Sequence, residues 1–178
     1  MTPIARLPSF ALETGDLNVI IETPRGCRNK YSYDEQLGIF KLGGLLPAGA
    51  VFPFDFGFIP QTVGGDGDPL DVLVLMDERA FPGCLVQCRL LGVIEANQTE
   101  KGKINRNDRL IAVVSNAPTH QGIKSVKDLE KNLIQEIEHF FISYNQAKGK
   151  KFKPRGCYGP QRATRLIKEG QRKYRKPE

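Results

Sequence analysis

The chain has 178 residues, 40% hydrophobic and 26% charged, with a net charge of +6. This is a globular composition, long enough for one domain with a real core, and no apolar run approaches the length of a membrane span. The N-terminus lacks a basic stretch followed by an apolar core, and Cys27, Cys84, Cys88 and Cys157 lack paired zinc spacing, so they read as reduced thiols of a cytoplasmic protein.

Residues 18–23 (Asn-Val-Ile-Ile-Glu-Thr) predict a strand closed by Pro24. Two more follow at 29–34 and 38–42, with Gln36-Leu37-Gly38 at the turn between them. Residues 51–59, rich in Phe and Gly, suit a strand with a bend. Residues 71–76 are apolar on both faces and read as a buried strand. A strand at 84–94 is entered through a Pro82-Gly83 turn, and 109–114 is the last. Short strands at close intervals with Gly and Pro turns point to a small barrel or a strongly curved sheet.

The helices come at the end. Ser125 and Asp128 resemble a capping box, with Asp in place of the usual Glu. Val126, Leu129, Leu133, Ile137, Phe140 and Tyr144 then recur at helical spacing, and Gly149 is a stop. A second helix at 160–174 places Ala163, Leu166, Ile167, Gly170 and Tyr174 on one face and Arg and Lys on the other. Residues 148–178 hold 12 Lys or Arg against 2 acidic residues, a net +10, which leaves residues 1–147 at −4. Such a tail suits an acidic partner or nucleic acid. It lacks aromatic interleaving for base stacking, so a solvated basic helix face is the preferred reading.

The most informative segment is Gly65-Asp66-Gly67-Asp68-Pro69-Leu70-Asp71. Two like charges about 5 Å apart repel by roughly 3 kcal/mol at an effective dielectric near 20. Three carboxylates within six residues therefore call for a neutralising cation or split pKa values. The donors are all oxygen, which selects a hard divalent ion, Mg2+ or Mn2+. A calcium EF-hand fits badly: counted from Asp66, its glycine position holds Asp71. A polar turn is the alternative. The junction with the buried strand from Asp71 favours the floor of a site.

The cluster has ordered companions: Val-Ile-Ile-Glu22-Thr-Pro, Asn-Lys30-Tyr, the turn Phe56-Gly57-Phe58-Ile59-Pro60, and His139-Phe-Phe-Ile-Ser-Tyr144. In this order and spacing they resemble the soluble family I inorganic pyrophosphatases, from about residue 17 to residue 150. The resemblance implies an α+β fold: a five-stranded OB-like barrel flanked by C-terminal helices. It implies a single domain over 1–178, with its core at about 17–150 and a basic C-terminal helix and tail at about 151–178. It implies hydrolysis of pyrophosphate to two phosphates by metal-activated water, with Mg2+, in a homo-oligomer. By motif, Asp66, Asp68 and Asp71 take the places of metal ligands. Asp68 also takes that of the residue that helps activate water, assisted by Glu22. Lys30, Arg109 and Tyr144 take those of phosphate-binding residues.

The chain also departs from the pattern. Ser32 stands where a glutamate is usual, Gly43-Gly44 where an arginine is expected, and Phe56 where a tyrosine contacts phosphate. Gln98 and Asn107 replace two further metal-binding aspartates, Arg109 replaces a lysine, and Asn145 a basic residue. Asp108, Glu95, Glu100, Lys41, Lys148 and Lys150 are candidates to compensate. The alternative readings are a hydrolase of another phosphoanhydride, such as a nucleotide, and a degenerate metal-, phosphate- or nucleic-acid-binding module.

Overall fold

The protein, a computed structural model, is described over residues 4–175. Five strands are hydrogen-bonded in a ring: β1 (Leu17–Thr23), β4 (Asp55–Phe58), β5 (Asp71–Leu75), β8 (Arg109–Val114) and β6 (Leu85–Glu100), which pairs back with β1. Within this ring only β5 and β8 run parallel. β2 (Asn29–Asp34) and β3 (Ile39–Leu45) form a separate hairpin. β7 (Lys103–Arg106) and β9 (Lys151–Tyr158) both add to β6. The helices are α1 (Lys131–Gln146) and α2 (Pro160–Tyr174). This is the expected α+β class, an OB-like ring of five strands with C-terminal helices.

β6 serves four partners in turn because it is long and bent. Its register shifts between Leu90 and Gly92 against β8, and between Glu95 and Ala96 against β9. An extra residue on one strand increases local twist and curls the sheet, which a closed ring requires.

The period-two alternation of the central strands feeds two hydrophobic clusters. Leu73, Leu75, Ile111 and Val113 pack with Phe52, Phe56 and Phe141. Val72, Val74, Leu110 and Ala112 pack with Ala163, Leu166 and Ile167 of α2. Burying one such side chain contributes about 1.5–3 kcal/mol. This explains why 71–76 is apolar on both faces: each face has its own core.

Four expectations change. The Ser125/Asp128 capping box exists, but it caps a single 3-10 turn (Val126–Asp128); α1 starts at Lys131, so Val126 and Leu129 enter the core from outside the helix. The strand expected at 51–59 shrinks to Asp55–Phe58, and that expected at 84–94 runs on to Glu100. β7 and β9 were not expected. In β9 the exposed Lys151 and Lys153 obscure an alternation in which Phe152 is buried. Residues 151–158 are therefore sheet, and the expected apolar face of α2 packs on the second cluster.

Candidate functional site

The parallel pairing of β5 and β8 aligns Val72 with Leu110. The residues just before them, Asp71 and Arg109, consequently lie side by side at the same end of the two strands. Arg109 Nη1 donates to Asp71 Oδ2 at 2.5 Å. It also donates to the Asp108 carbonyl at 3.1 Å and to Asn107 Oδ1. The guanidinium carbon lies 4.8 Å from the Phe141 ring centre and 5.5 Å from that of Phe152.

Asp66 and Asp68 come from the loop that leads into β5. Gly67 has φ +96°, a left-handed turn that a side chain would strain. The loop is anchored at both ends. Gly64 N–H donates to the Asp68 carbonyl at 2.7 Å, and Leu70 N–H to Thr62 Oγ1 at 3.0 Å. Both carboxylates are exposed to the cleft. Desolvation by the surrounding protein raises the Asp66 pKa, and the Asp71 charge adds to it. Asp68 is raised by desolvation and then by Asp66, opposed by Lys150 and Lys30. Desolvation also raises Asp71, against the pull of Arg109 and Lys30.

Glu22, near the end of β1, faces the β2–β3 hairpin. Its Oε2 accepts from Lys30 Nζ at 2.9 Å and its Oε1 from the Tyr33 N–H at 2.7 Å. Lys30 Nζ also lies 4.4 Å above the Phe56 ring. Phe56, which cannot donate a hydrogen bond, thus holds the lysine by a cation–π contact. From α1, Tyr144 stacks on Phe140, and its hydroxyl accepts from Lys148 Nζ at 2.6 Å. Burial raises the Tyr144 pKa. Desolvation and then the Lys150 charge lower that of Lys148.

All seven residues singled out from sequence, Glu22, Lys30, Asp66, Asp68, Asp71, Arg109 and Tyr144, line one cleft of about 450 Å³. Of the compensating candidates, Lys148 and Lys150 also line it. The others are spent elsewhere. Asp108 bonds Ala96 N–H and Arg106, Glu95 bonds Arg106 and Arg162, and Lys41 bonds Asp34. Glu100 bonds Lys150 at 2.8 Å. Gln98 accepts from Asn107 at 3.1 Å, a neutral amide pair where the sequence pattern expects two carboxylates. Asn145 donates to the Phe141 carbonyl of its own helix. Tyr33 and Glu35 also line the cleft and were not singled out; they arrive with the hairpin, and no local motif marks them.

The cleft sets five carboxylates, Glu22, Glu35, Asp66, Asp68 and Asp71, against four cations, Lys30, Arg109, Lys148 and Lys150. Part of the neutralisation that the sequence demanded is therefore built from protein cations. Among the described residues, no three His, Cys, Asp or Glu side chains are gathered as a ready metal cage. The all-oxygen donors Asp66 and Asp68 suit a hard divalent ion. Neither makes an ion pair with a protein cation in the described structure. Asp71 is turned onto Arg109.

Comparison with known proteins points to one family. The inorganic pyrophosphatase family profile matches residues 19–175. The inorganic pyrophosphatase of Halalkalibacterium halodurans is 36% identical over 166 residues, 93% of this chain and 99% of that protein. That of Synechocystis is 37% identical over 147 residues, 83% of this chain and 84% of that protein. The crystal structure of the inorganic pyrophosphatase from Thermus thermophilus superposes with a TM-score of 0.88 at 32% identity, covering 98% of this chain and 100% of that one. The ring of strands, the convergent cleft and these matches together show that the chain belongs to the inorganic pyrophosphatase family.

Proposed function

We propose that this chain hydrolyses inorganic pyrophosphate to two phosphates, with the cleft as its active site. The observation that carries the reading is the convergence of Glu22, Lys30, Asp66, Asp68, Asp71, Arg109 and Tyr144, from distant parts of the sequence, on that one cleft. Family membership favours this over a nucleotide hydrolase or a degenerate binding module.

The cofactor is a divalent ion, which we assign as Mg2+ with Mn2+ as a substitute, held by Asp66 and Asp68 and completed by Asp71. When bound it lowers the pKa of a coordinated water and offsets phosphate charge. Asp68 orients the attacking water and accepts its proton. Glu22 fixes Lys30, whose ammonium neutralises a phosphate oxygen. Tyr144 supplies a hydroxyl hydrogen bond, and Arg109 a guanidinium suited to phosphate. No Ser or Cys nucleophile is needed. The chain acts as one domain.

Family membership supports a homo-oligomer, which sedimentation would test. The four free cysteines favour a reducing cytoplasmic setting. No helix among the described residues is long and apolar enough to cross a membrane. The deciding measurement is phosphate release from magnesium pyrophosphate. Wild type should exceed Asp68→Asn by about 100-fold or more; equal rates at background would reject the proposal.

A further inference from the structure

Arg109 lines the cleft but is held against Asp71. It is 4% exposed, and a single nitrogen, Nη1, makes all three of its hydrogen bonds. Its Nε is buried with no partner. A guanidinium keeps its proton at any ordinary pH, so this is a permanent buried cation with part of its donor fork unused. Its positive charge, 2.5 Å from Asp71 Oδ2, also weakens the hold of that carboxylate on a divalent ion by repulsion and by occupying one of its acceptor positions. Asn107 and Gln98, the neutral amides beside it, supply no competing charge.

We propose that Arg109 exchanges partners: it withholds Asp71 from divalent ions in the empty site, and an anionic phosphate draws it off and releases Asp71 for metal. The proposal rests on the reading of the Asp cluster as a metal site. The driving force is donor satisfaction. A phosphate oxygen pair accepts the guanidinium fork bidentately, including the nitrogen that now lacks a partner. Asp71 in turn gains a divalent ion for a monovalent one. Phosphate and metal then bind cooperatively, and by linkage each tightens the other by the same factor.

The test is Mn2+ binding by titration calorimetry to metal-free wild type and to Arg109→Gln, with and without saturating inorganic phosphate. In wild type, phosphate should tighten Mn2+ about tenfold. In Arg109→Gln, Mn2+ should bind tightly without phosphate, and phosphate should add less than about twofold. An unchanged phosphate effect in the variant, or Mn2+ binding no tighter than in wild type, would overturn the exchange while leaving the proposed function standing. Absence of Mn2+ binding in both proteins would overturn the metal reading itself.

Should Arg109→Gln not fold, the wild-type side-chain 15N spectrum decides, with its Arg109 signal assigned by its loss in Arg109→Lys. The Arg109 Nε–H resonance should move when phosphate is added with Mg2+. A resonance indifferent to phosphate would overturn the exchange.

Discussion

Lys30 and Glu22 form an ion pair of 2.9 Å whose side chains are only 13% and 10% exposed, with the lysine held against Phe56 from one side. The pair spans β1 and the β2–β3 hairpin, and therefore couples the ring to the cleft wall. Glu22→Gln keeps an acceptor for the Tyr33 N–H but leaves Lys30 charged and uncompensated. We expect a loss of about 2 kcal/mol in urea unfolding with an unchanged m-value. Pyrophosphate hydrolysis should fall by about tenfold or more, because the ammonium we propose as a phosphate contact loses its fixed position. A variant as stable as wild type would show that the pair does not hold the hairpin.

Gly57 is a second point where the ring depends on one residue. A Cβ at this position would lie 2.0 Å from the Ile20 carbonyl oxygen and 3.0 Å from the Ile21 Cα. The clash is with backbone of β1, its hydrogen-bonded neighbour, so no side-chain rotation relieves it. Gly57→Ala should cost about 3 kcal/mol or more, or abolish folding. Circular dichroism and urea melts would check this; a neutral substitution would mean that β1 and β4 pair less closely.

Asp55, on β4, gives a pH signature. Its Oδ1 accepts from Ala80 N–H at 3.0 Å, while Oδ2 is buried without a partner. Desolvation raises its pKa above the ordinary 3.8. A carboxyl raised by folding favours the folded state at low pH. Its contribution is complete below the ordinary value and is lost as pH rises through the raised one. Asp55→Asn removes that loss. The variant should therefore gain about 1 kcal/mol on wild type at about pH 7, and the gain should vanish near pH 4. Urea midpoints for both proteins at the two pH values would check the sign.

How much of this was legible in the sequence depends on the range of the interaction. Strands β1 and β5 and helix α2 are marked by local periodicity, and their bounds follow closely. The Asp66–Asp71 segment is marked by its charge density and by its junction with the apolar run that follows. What local pattern does not carry is register. That Asp71 meets Arg109 follows from a parallel pairing between segments 38 residues apart. That Asp108 turns to Ala96 and Arg106, while Asn107 turns to Gln98 and Arg109, is the face alternation of consecutive residues entering a strand. The sequence reading asked for a cation or split pKa values and placed Arg109 in the same site, without showing that it meets Asp71 directly. β9 was hidden because its solvent face is lysine-rich while one buried Phe152 carries its contact with the core. The capping box was read correctly as chemistry and misplaced as an element, since the same two hydrogen bonds close a 3-10 turn as readily as they start a helix.

Gly44 and Lys148 provide the last test. A Cβ at Gly44 would meet only the Lys148 Nζ, at 4.0 Å, an ordinary contact. The hairpin thus leaves room where the family pattern places an arginine, and a lysine from beyond α1 fills that part of the cleft. If Lys148 substitutes for the missing guanidinium, Lys148→Ala should raise the KM for pyrophosphate by about tenfold with kcat less affected. Gly44→Arg in that background should restore most of the loss, since it returns a cation to the same place from the other side. In the wild-type background Gly44→Arg should change stability by no more than about 0.5 kcal/mol, the position being partly exposed and unclashed. The added charge beside Lys148 makes the single variant gain little, whereas a rescue confined to the Lys148→Ala background identifies one shared subsite. Failure of the double variant to recover KM would place the phosphate contact of Lys148 elsewhere in the cleft.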